Sequence, residues 1–336
     1  MTILFYSDPH FGLSRKANFT RDSNSRLEIH RRWLIDNKLK SVTNSVCLGD
    51  FFDKTTNPEI VLIDSILTAE YTSFILAGNH DVPNSTRQAS TLDVLGELYP
   101  DKVILPGCVP EAEAPVVKEL DGVSLTFIPH QLNQSLFEKQ LDKARNHTLY
   151  GNMSILCLHC NYDSPFELSE ESLNLTKEWA EILLEKFDYI LLGHEHKPRE
   201  DFDGRLKVLG NPYPTNFSED HDHFVYYYDP ETDSWKKEKT GSEDLFWEGS
   251  STELDHVSDD LIYNHKFYTL YNERGDAHKT AAHLLNDCEA YAVRVISEKT
   301  GEVTAQEIQT FKTLRETIEE RLSDELKVIF NELLGN

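Results

Sequence analysis

No run of apolar residues in this chain approaches the roughly 20 that a membrane-spanning helix needs, which excludes helical membrane spans. Basic residues are short as well: 33 Lys and Arg stand against 58 Asp and Glu, a formal net charge of −25. A protein that coats nucleic acid needs the opposite balance, because cationic side chains make the phosphate contacts. The deficit leaves room for a phosphodiester held by metal ions, since divalent cations are often the largest charges in a pocket. Cysteine is scarce and odd in number, with Cys47, Cys108, Cys157, Cys160 and Cys288. The N-terminal stretch MTILFYSDPHFG has no basic start, no long apolar segment and no small-residue cleavage site. Together these predict reduced thiols in a cytoplasmic protein without a signal peptide. Cys157 and Cys160 spell C-x-x-C, but SILCLHC reads as a strand, so buried small side chains are expected rather than a redox pair or zinc ribbon. Internal repeats and low-complexity segments are also missing.

What is present is an ordinary globular balance, 39% apolar and 27% charged over 336 residues, enough for one large domain and a smaller one. Short apolar runs alternate with helical patterns through the first two-thirds. Strands are expected at 2–6, 45–48 and 73–77, with helices at 26–39 and 58–71, a β-α-β-α-β order that signals a layered α/β fold. Asp121-Gly122 joins 116–120 to 123–128 as a hairpin. Further strands are expected at 154–158, 189–192, 206–209 and 224–228, the last two antiparallel, with a helix over 172–187. Composition shifts near Asp229 to a polar, turn-rich stretch, read as a linker or peripheral hairpin. A smaller unit follows, with a strand at 265–271, a helix at 277–286 and a strand at 290–296. Apolar positions between Ile308 and Leu333 recur at helical spacing, an amphipathic tail that either packs on its own domain or docks a partner. The division is 1–230, 231–303 and 304–336.

Each main strand is followed by Asp, Asn or His. Asp8-Pro9-His10 follows the first, Gly49-Asp50 the second and Gly78-Asn79-His80-Asp81 the third; His159 and Gly193-His194-Glu195-His196 follow two later ones. Side chains alternate along an extended strand, so Asp8 and His10 share a face if the chain stays extended there, as do His194 and His196. Ligands in open α/β sheets bind beyond the strand ends. The glycines at 49, 78 and 193 suit sharp turns out of the strands. Oxygen and imidazole donors without thiolate suit Mn, Fe, Zn or Mg rather than a structural zinc site. Two ions need about seven ligands, and Asp8, His10, Asp50, Asn79, His159, His194 and His196 supply that number. GNHD alone would be a turn and GD alone nearly meaningless; the ordered set behind successive strands is not.

In that order, D-x-H, GD, GNHD, a later His and GHxH resemble the calcineurin-like metallophosphoesterase family over roughly residues 1–230. The resemblance implies a four-layer αββα sandwich, here with a smaller C-terminal α+β cap domain and a helical tail. It implies that Asp8, His10 and His196 hold one metal, that Asn79, His159 and His194 hold the other, and that Asp50 bridges both. Leu158-His159 departs from the usual Gly-His; His130, in FIPH, competes for that place and is otherwise a pocket-lining residue. The resemblance further implies that His80 meets the scissile phosphate and assists the leaving oxygen. Asp81 would orient its ring and favour its protonated form.

GNHD, SDPHFG and GDFFDK are similar to the SbcD-type nuclease subunits of DNA repair and recombination, including phage-encoded relatives. The segment LGNPYPTNFSED resembles their G-S-P-x-P-x-x-F-x-E region, with Asn211 where serine is usual. This implies an exonuclease and endonuclease acting on DNA with two divalent ions, Mn2+ preferred over Mg2+, Fe2+ or Zn2+. It also implies an SbcC-type coiled-coil ATPase as partner and leaves a homodimer open. Arg15, Lys16, Arg87, Lys197 and Arg199 lie just beyond motifs as phosphate contacts or ordinary surface charge. Two other readings stay open: a stand-alone phosphoesterase acting on a small nucleotide diester or monoester, and a non-enzymatic scaffold on the same fold.

Overall fold

Alternate residues of the first strand, Ile3–Tyr6, point into two different cores in this computed structural model. Ile3 and Phe5 join Val46, Leu48, Leu125, Phe127, Ile155, Cys157 and Leu191 in a cluster shared by two sheets. Leu4 and Tyr6 join Cys47, Ile75 and the helical residues Val61, Ala69, Leu92 and Leu95. On the other side, Leu156, Leu158, Ile190 and Leu192 meet Phe137, Leu141, Ala180 and Leu183 of two further helices. The layers therefore run helix, sheet, sheet, helix, the expected αββα sandwich. The structure describes residues 2–296 apart from 14–18, 21–31, 83–88, 107–114, 148–152, 165–171, 216–218, 220, 241–245, 255, 257–266, 274, 289 and 291. The expected helical tail at 304–336 lies outside the described residues, as do Arg15, Lys16 and Arg87.

The first sheet has the spatial order Ser234–Lys239, Phe224–Asp229, Ile3–Tyr6, Asn44–Cys47, Phe74–Leu76, Val103–Ile104. Its last four strands are parallel. The second runs Arg199–Asp201, Leu206–Val208, Tyr189–Gly193, Met153–His159, Val123–Ile128, Val116–Leu120. The expected hairpin pairs Val116–Leu120 with Val123–Ile128. Leu206–Val208, expected to be antiparallel, runs parallel to Tyr189–Gly193, and only Arg199–Asp201 opposes it. Three-residue strands carry too little pattern to reveal direction. Ser234–Lys239, in the stretch read as a linker or peripheral hairpin, is the edge strand of the first sheet, antiparallel to Phe224–Asp229.

The helix Glu59–Tyr71 begins just after Pro58, whose missing N–H costs nothing at a helix start. The helix expected from residue 172 begins only at Lys177, capped by Thr176, whose side chain accepts from the Trp179 N–H. Ahead of it, Asn174–Leu175 pairs as a strand with Asn161–Tyr162. Thr91–Leu98 carries a reciprocal cap, Ser90 and Asp93 each bonding the other's backbone N–H.

A third sheet runs Phe246–Ser250, Phe267–Tyr271, Ala292–Ile296, Phe19–Thr20. The helix Ala277–Asn286 packs on it through Ala277, Ala281 and Leu284. The strand, helix and strand expected in this region are all present; the fourth strand comes from the N-terminal part of the chain. The described residues up to 296 form one compact unit. Among the described residues no helix is long and apolar enough to cross a membrane.

Candidate metal centre

The parallel strands of both sheets end at one rim, and the residues after them turn sharply inward. Asp8, His10 and Asp50 adopt left-handed backbone angles, φ 54°, 47° and 47°, and His194 has φ 90°. Positive φ in residues other than glycine is uncommon and collects at functional sites. The expectation that Asp8 and His10 meet because the chain stays extended is therefore corrected. They meet because the chain coils between them, pinned where Asp8 N–H donates to Gly49 O and His10 N–H to Asp50 O, both at 3.0 Å.

Two groups of donors result. Asp8, His10 and His196 form one, Asp50, His159 and His194 the other, each with its ligand atoms within 4.8 Å of one another. Asn79 belongs to the second: its Oδ1 lies 2.9 Å from His194 Nδ1 and 3.1 Å from His159 Nε2. Asp50 touches both, with Oδ1 3.2 Å from His159 Nε2 and Oδ2 3.9 Å from His10 Nε2. All seven residues expected as ligands are thus brought together.

Three glycines make this packing possible. A Cβ on Gly49 would stand 2.2 Å from His159 Nδ1, one on Gly78 2.2 Å from Asp50 Oδ1, and one on Gly193 2.1 Å from Ser7 Oγ. Glu195, between the two histidines of GHEH, points elsewhere: it accepts from Tyr162 N–H and pairs with Arg199 at 2.7 Å. Arg199 also stacks on the Tyr162 ring, 4.9 Å from its centroid, so this candidate phosphate contact is a structural brace.

The donor set fits cations. Asp8 Oδ1 is buried without a hydrogen bond. The Nε2 atoms of His10 and His196 face each other at 3.1 Å. His159 Nδ1 lies 2.7 Å from the Leu48 carbonyl, so it carries the proton and Nε2 is left to ligate. Burial disfavours a charged His159, yet the charge of Asp50 and its hydrogen bond outweigh that and raise the pKa to about 9. Burial likewise works against an ionised Asp50, and His159 more than offsets it, holding the carboxyl well below its usual range. The rim thus gathers carboxylates that demand positive charge.

His80 stands at the exposed edge. Its Nδ1 bonds the Asp53 carbonyl at 2.7 Å, and its Nε2 lies 3.9 Å from Asp50 Oδ2. The role implied for Asp81 needs correction. Its carboxylate is buried and accepts from the backbone N–H groups of Phe51, Phe52 and Gly78 at 3.1, 2.9 and 2.9 Å. Those three donors turn it away from the His80 ring and make it the clasp between the Asp50 and Asn79 loops. Burial and then the nearby Asp50 charge push it up to about 7.

Beside the second group lies a cavity of about 430 Å³, lined by Lys54, Thr55, His80, His130, Cys160 and Leu173 among others. His130 lines it, as expected of a pocket residue. Burial, then the His159 charge, lower its pKa to about 3, so it is a neutral ring there. Cys157 and Cys160 are buried and form no disulfide, in keeping with the expectation for C-x-x-C.

The sequence profile of calcineurin-like phosphoesterases matches residues 1–198. The chain belongs to that family. Calcineurin-like phosphoesterases hydrolyse phosphoesters at a dinuclear metal site, and the two donor groups are this chain's candidate for it. Among solved structures, a novel archaeal phosphodiesterase is 15% identical over 71% of this chain and 99% of its own, with a TM-score of 0.34. Vps29 from Entamoeba histolytica, complexed with zinc, is 11% identical over 71% of this chain and 98% of its own, with a TM-score of 0.29. No curated protein matches the chain.

Sequence reasoning singled out neither Asp53, whose Oδ1 lies 3.6 Å from His10 Nδ1, nor Glu219. Glu219 Oε1 lies 3.0 Å from His196 Nδ1. It is the glutamate that ends the motif-like NPYPTNFSE, and that motif was its only signal.

Proposed function

We propose that this chain is a metal-dependent DNA nuclease subunit of the SbcD type, with exonuclease and endonuclease activity in repair or recombination. The observation that carries the phosphodiesterase part is the junction at Asp50, where the two donor groups meet and His80 Nε2 stands 3.9 Å away. The motifs SDPHFG, GDFFDK and GNHD and the segment from Leu209 to Asp220 support DNA as the substrate.

Asp8, His10 and His196 would hold one ion, Asn79, His159 and His194 the other, and Asp50 both, with manganese as the proposed metal. When bound, the ions supply Lewis acidity toward the phosphate oxygens and a nucleophilic water at neutral pH. The chain's own residues do the rest. The Asp53 carbonyl fixes the His80 ring through Nδ1, so Nε2 can pass a proton to the departing sugar oxygen. Asp81 holds the loops that carry Asp50 and Asn79 in register. Lys54 offers an exposed ammonium to a flanking phosphate, and Cys160 and Leu173 give the cavity an apolar wall for a base or sugar. A coiled-coil ATPase of the SbcC type would supply DNA grip that a chain of net charge −25 does not. A homodimer and a cytoplasmic location complete the reading.

That same charge favours a second reading, a stand-alone phosphoesterase acting on a small nucleotide ester. The deciding experiment is Mn2+-dependent degradation of end-labelled double-stranded DNA, with bis-p-nitrophenyl phosphate in parallel. Wild type should cut both, and His80→Ala and Asp50→Asn should fail on DNA. Cleavage of the small diester alone would replace the nuclease reading by the second one.

A further inference from the structure

Glu219 reaches His196 from a separate segment, and everything around it is built to hold it there. Its side chain is 9% exposed. Oε2 accepts from Asn211 Nδ2 at 2.7 Å and from the Thr215 N–H at 3.0 Å, and Oε1 accepts from the Thr215 hydroxyl at 2.5 Å. Asn211 is anchored in turn, with His223 Nδ1 2.8 Å from its Oδ1. The same segment grips the His196 backbone, where His221 Nε2 donates to the carbonyl at 2.9 Å. It also grips the first motif, where the Tyr213 hydroxyl donates to the Pro9 carbonyl.

An ionised carboxylate can only accept, so the proton between Glu219 and His196 resides on Nδ1. That leaves the His196 lone pair on Nε2, the atom that faces His10 at 3.1 Å. A carboxylate behind a ligating imidazole fixes its tautomer and ring plane and raises its basicity. Glu219, His221 and His223 are also close enough together to suggest a further cation. The His221 and His223 nitrogens just named bond oxygens of His196 and Asn211, so both rings also brace the segment that carries Glu219.

We propose that Glu219 is the positioning residue that makes His196 a metal ligand, with Asn211 and Thr215 bracing its carboxylate. The inference rests on the reading of His196 as a ligand. It also gives Asn211 a role. An amide donates to Glu219 and accepts from His223 at once, extending the support by one residue.

The test is calorimetric titration of the metal-free full chain with Mn2+, for wild type, Glu219→Gln and Thr215→Val, with the metal-free thermal midpoint of each measured alongside. Wild type should take two ions. Glu219→Gln should keep one site at wild-type affinity and weaken the other roughly 10–100-fold, with a metal-free midpoint close to wild type. A merely structural role would lower the midpoint and leave the sites alike. Thr215→Val removes one brace and keeps the carboxylate, so the same single site should weaken less. Two sites of wild-type affinity in Glu219→Gln overturn the proposal; if that variant does not fold, unchanged sites in Thr215→Val overturn it. A wild type that binds no Mn2+ removes the ligand reading itself, and this inference with it.

Discussion

Replacing Gly78 with alanine should dismantle the metal centre without altering any ligand. The added Cβ would stand 2.2 Å from Asp50 Oδ1, 2.3 Å from the Asp50 backbone nitrogen and 2.8 Å from His159 Nε2. Ordinary contact begins at 3.4 Å, so the carboxylate oxygen would have to retreat by about 1.2 Å. Rotating the side chain cannot relieve the clash, because the backbone nitrogen is as close. The whole turn would have to move, yet Asp81 ties Phe51 and Phe52 to Gly78 itself. Overpacking of this kind costs about 1–3 kcal/mol of stability. A displacement near 1 Å costs on the order of 100-fold in rate, and Asp50 serves both donor groups. Gly122→Ala is the matched control. Its Cβ would meet nothing within 4 Å, and φ is +79°, so only the left-handed backbone is penalised, by about 1–2 kcal/mol. Both variants should melt earlier than wild type, but only Gly78→Ala should lose Mn2+ binding and diester hydrolysis. A Gly78→Ala protein that binds two Mn2+ ions at wild-type affinity would refute the reasoning that Asp50 is the shared ligand.

Asp81→Asn offers one acceptor oxygen to three backbone donors, so urea unfolding should show a loss of about 1–3 kcal/mol. The pH profile of hydrolysis should keep its shape, because the Asp53 carbonyl holds His80; a shifted profile at wild-type stability would return the orienting role to Asp81. Chelation of metal should lower the thermal midpoint, since each ion present at 100 times its dissociation constant stabilises by about 2.7 kcal/mol. A midpoint unmoved by chelator contradicts a two-ion site. Lys54→Ala should raise KM for an anionic diester with kcat preserved, and an unchanged KM would exclude Lys54 from substrate contact.

That the seven candidate ligands would gather at one place was legible in the sequence because the signal is chemical. Asp8, His10, Asp50, Asn79, His159, His194 and His196 are polar residues placed where a strand's apolar run stops, and the parallel topology brings those stops to one rim. The layers were legible for a similar reason, since Ile3–Tyr6 and Met153–His159 are apolar on both faces and so must be covered on both. What could not be read is direction and long-range contact. Asp81 looks like a partner for its neighbour His80, but three backbone donors, two of them about 30 residues away in sequence, claim its carboxylate first. Glu219 shares no spacing rule with His196. Ser234–Lys239 could be read only as a linker or a peripheral hairpin, because an edge strand with largely exposed side chains has no apolar alternation to display; the hairpin is what forms.

The strand pairing of Phe19–Thr20 with Ala292–Val293 has a consequence for the order of synthesis. One edge of the third sheet therefore leaves the ribosome well before the strand it pairs with. At roughly 5–20 residues per second the early segment waits on the order of 15–50 s before its partner exists. The sandwich can close in the meantime, whereas the third sheet can be completed only once translation has passed residue 296. Such distant pairing is slow to form, because closure entropy must be overcome before the contact rewards it. Truncation that removes residues 292–296 would therefore leave residues 19 and 20 without their strand partner.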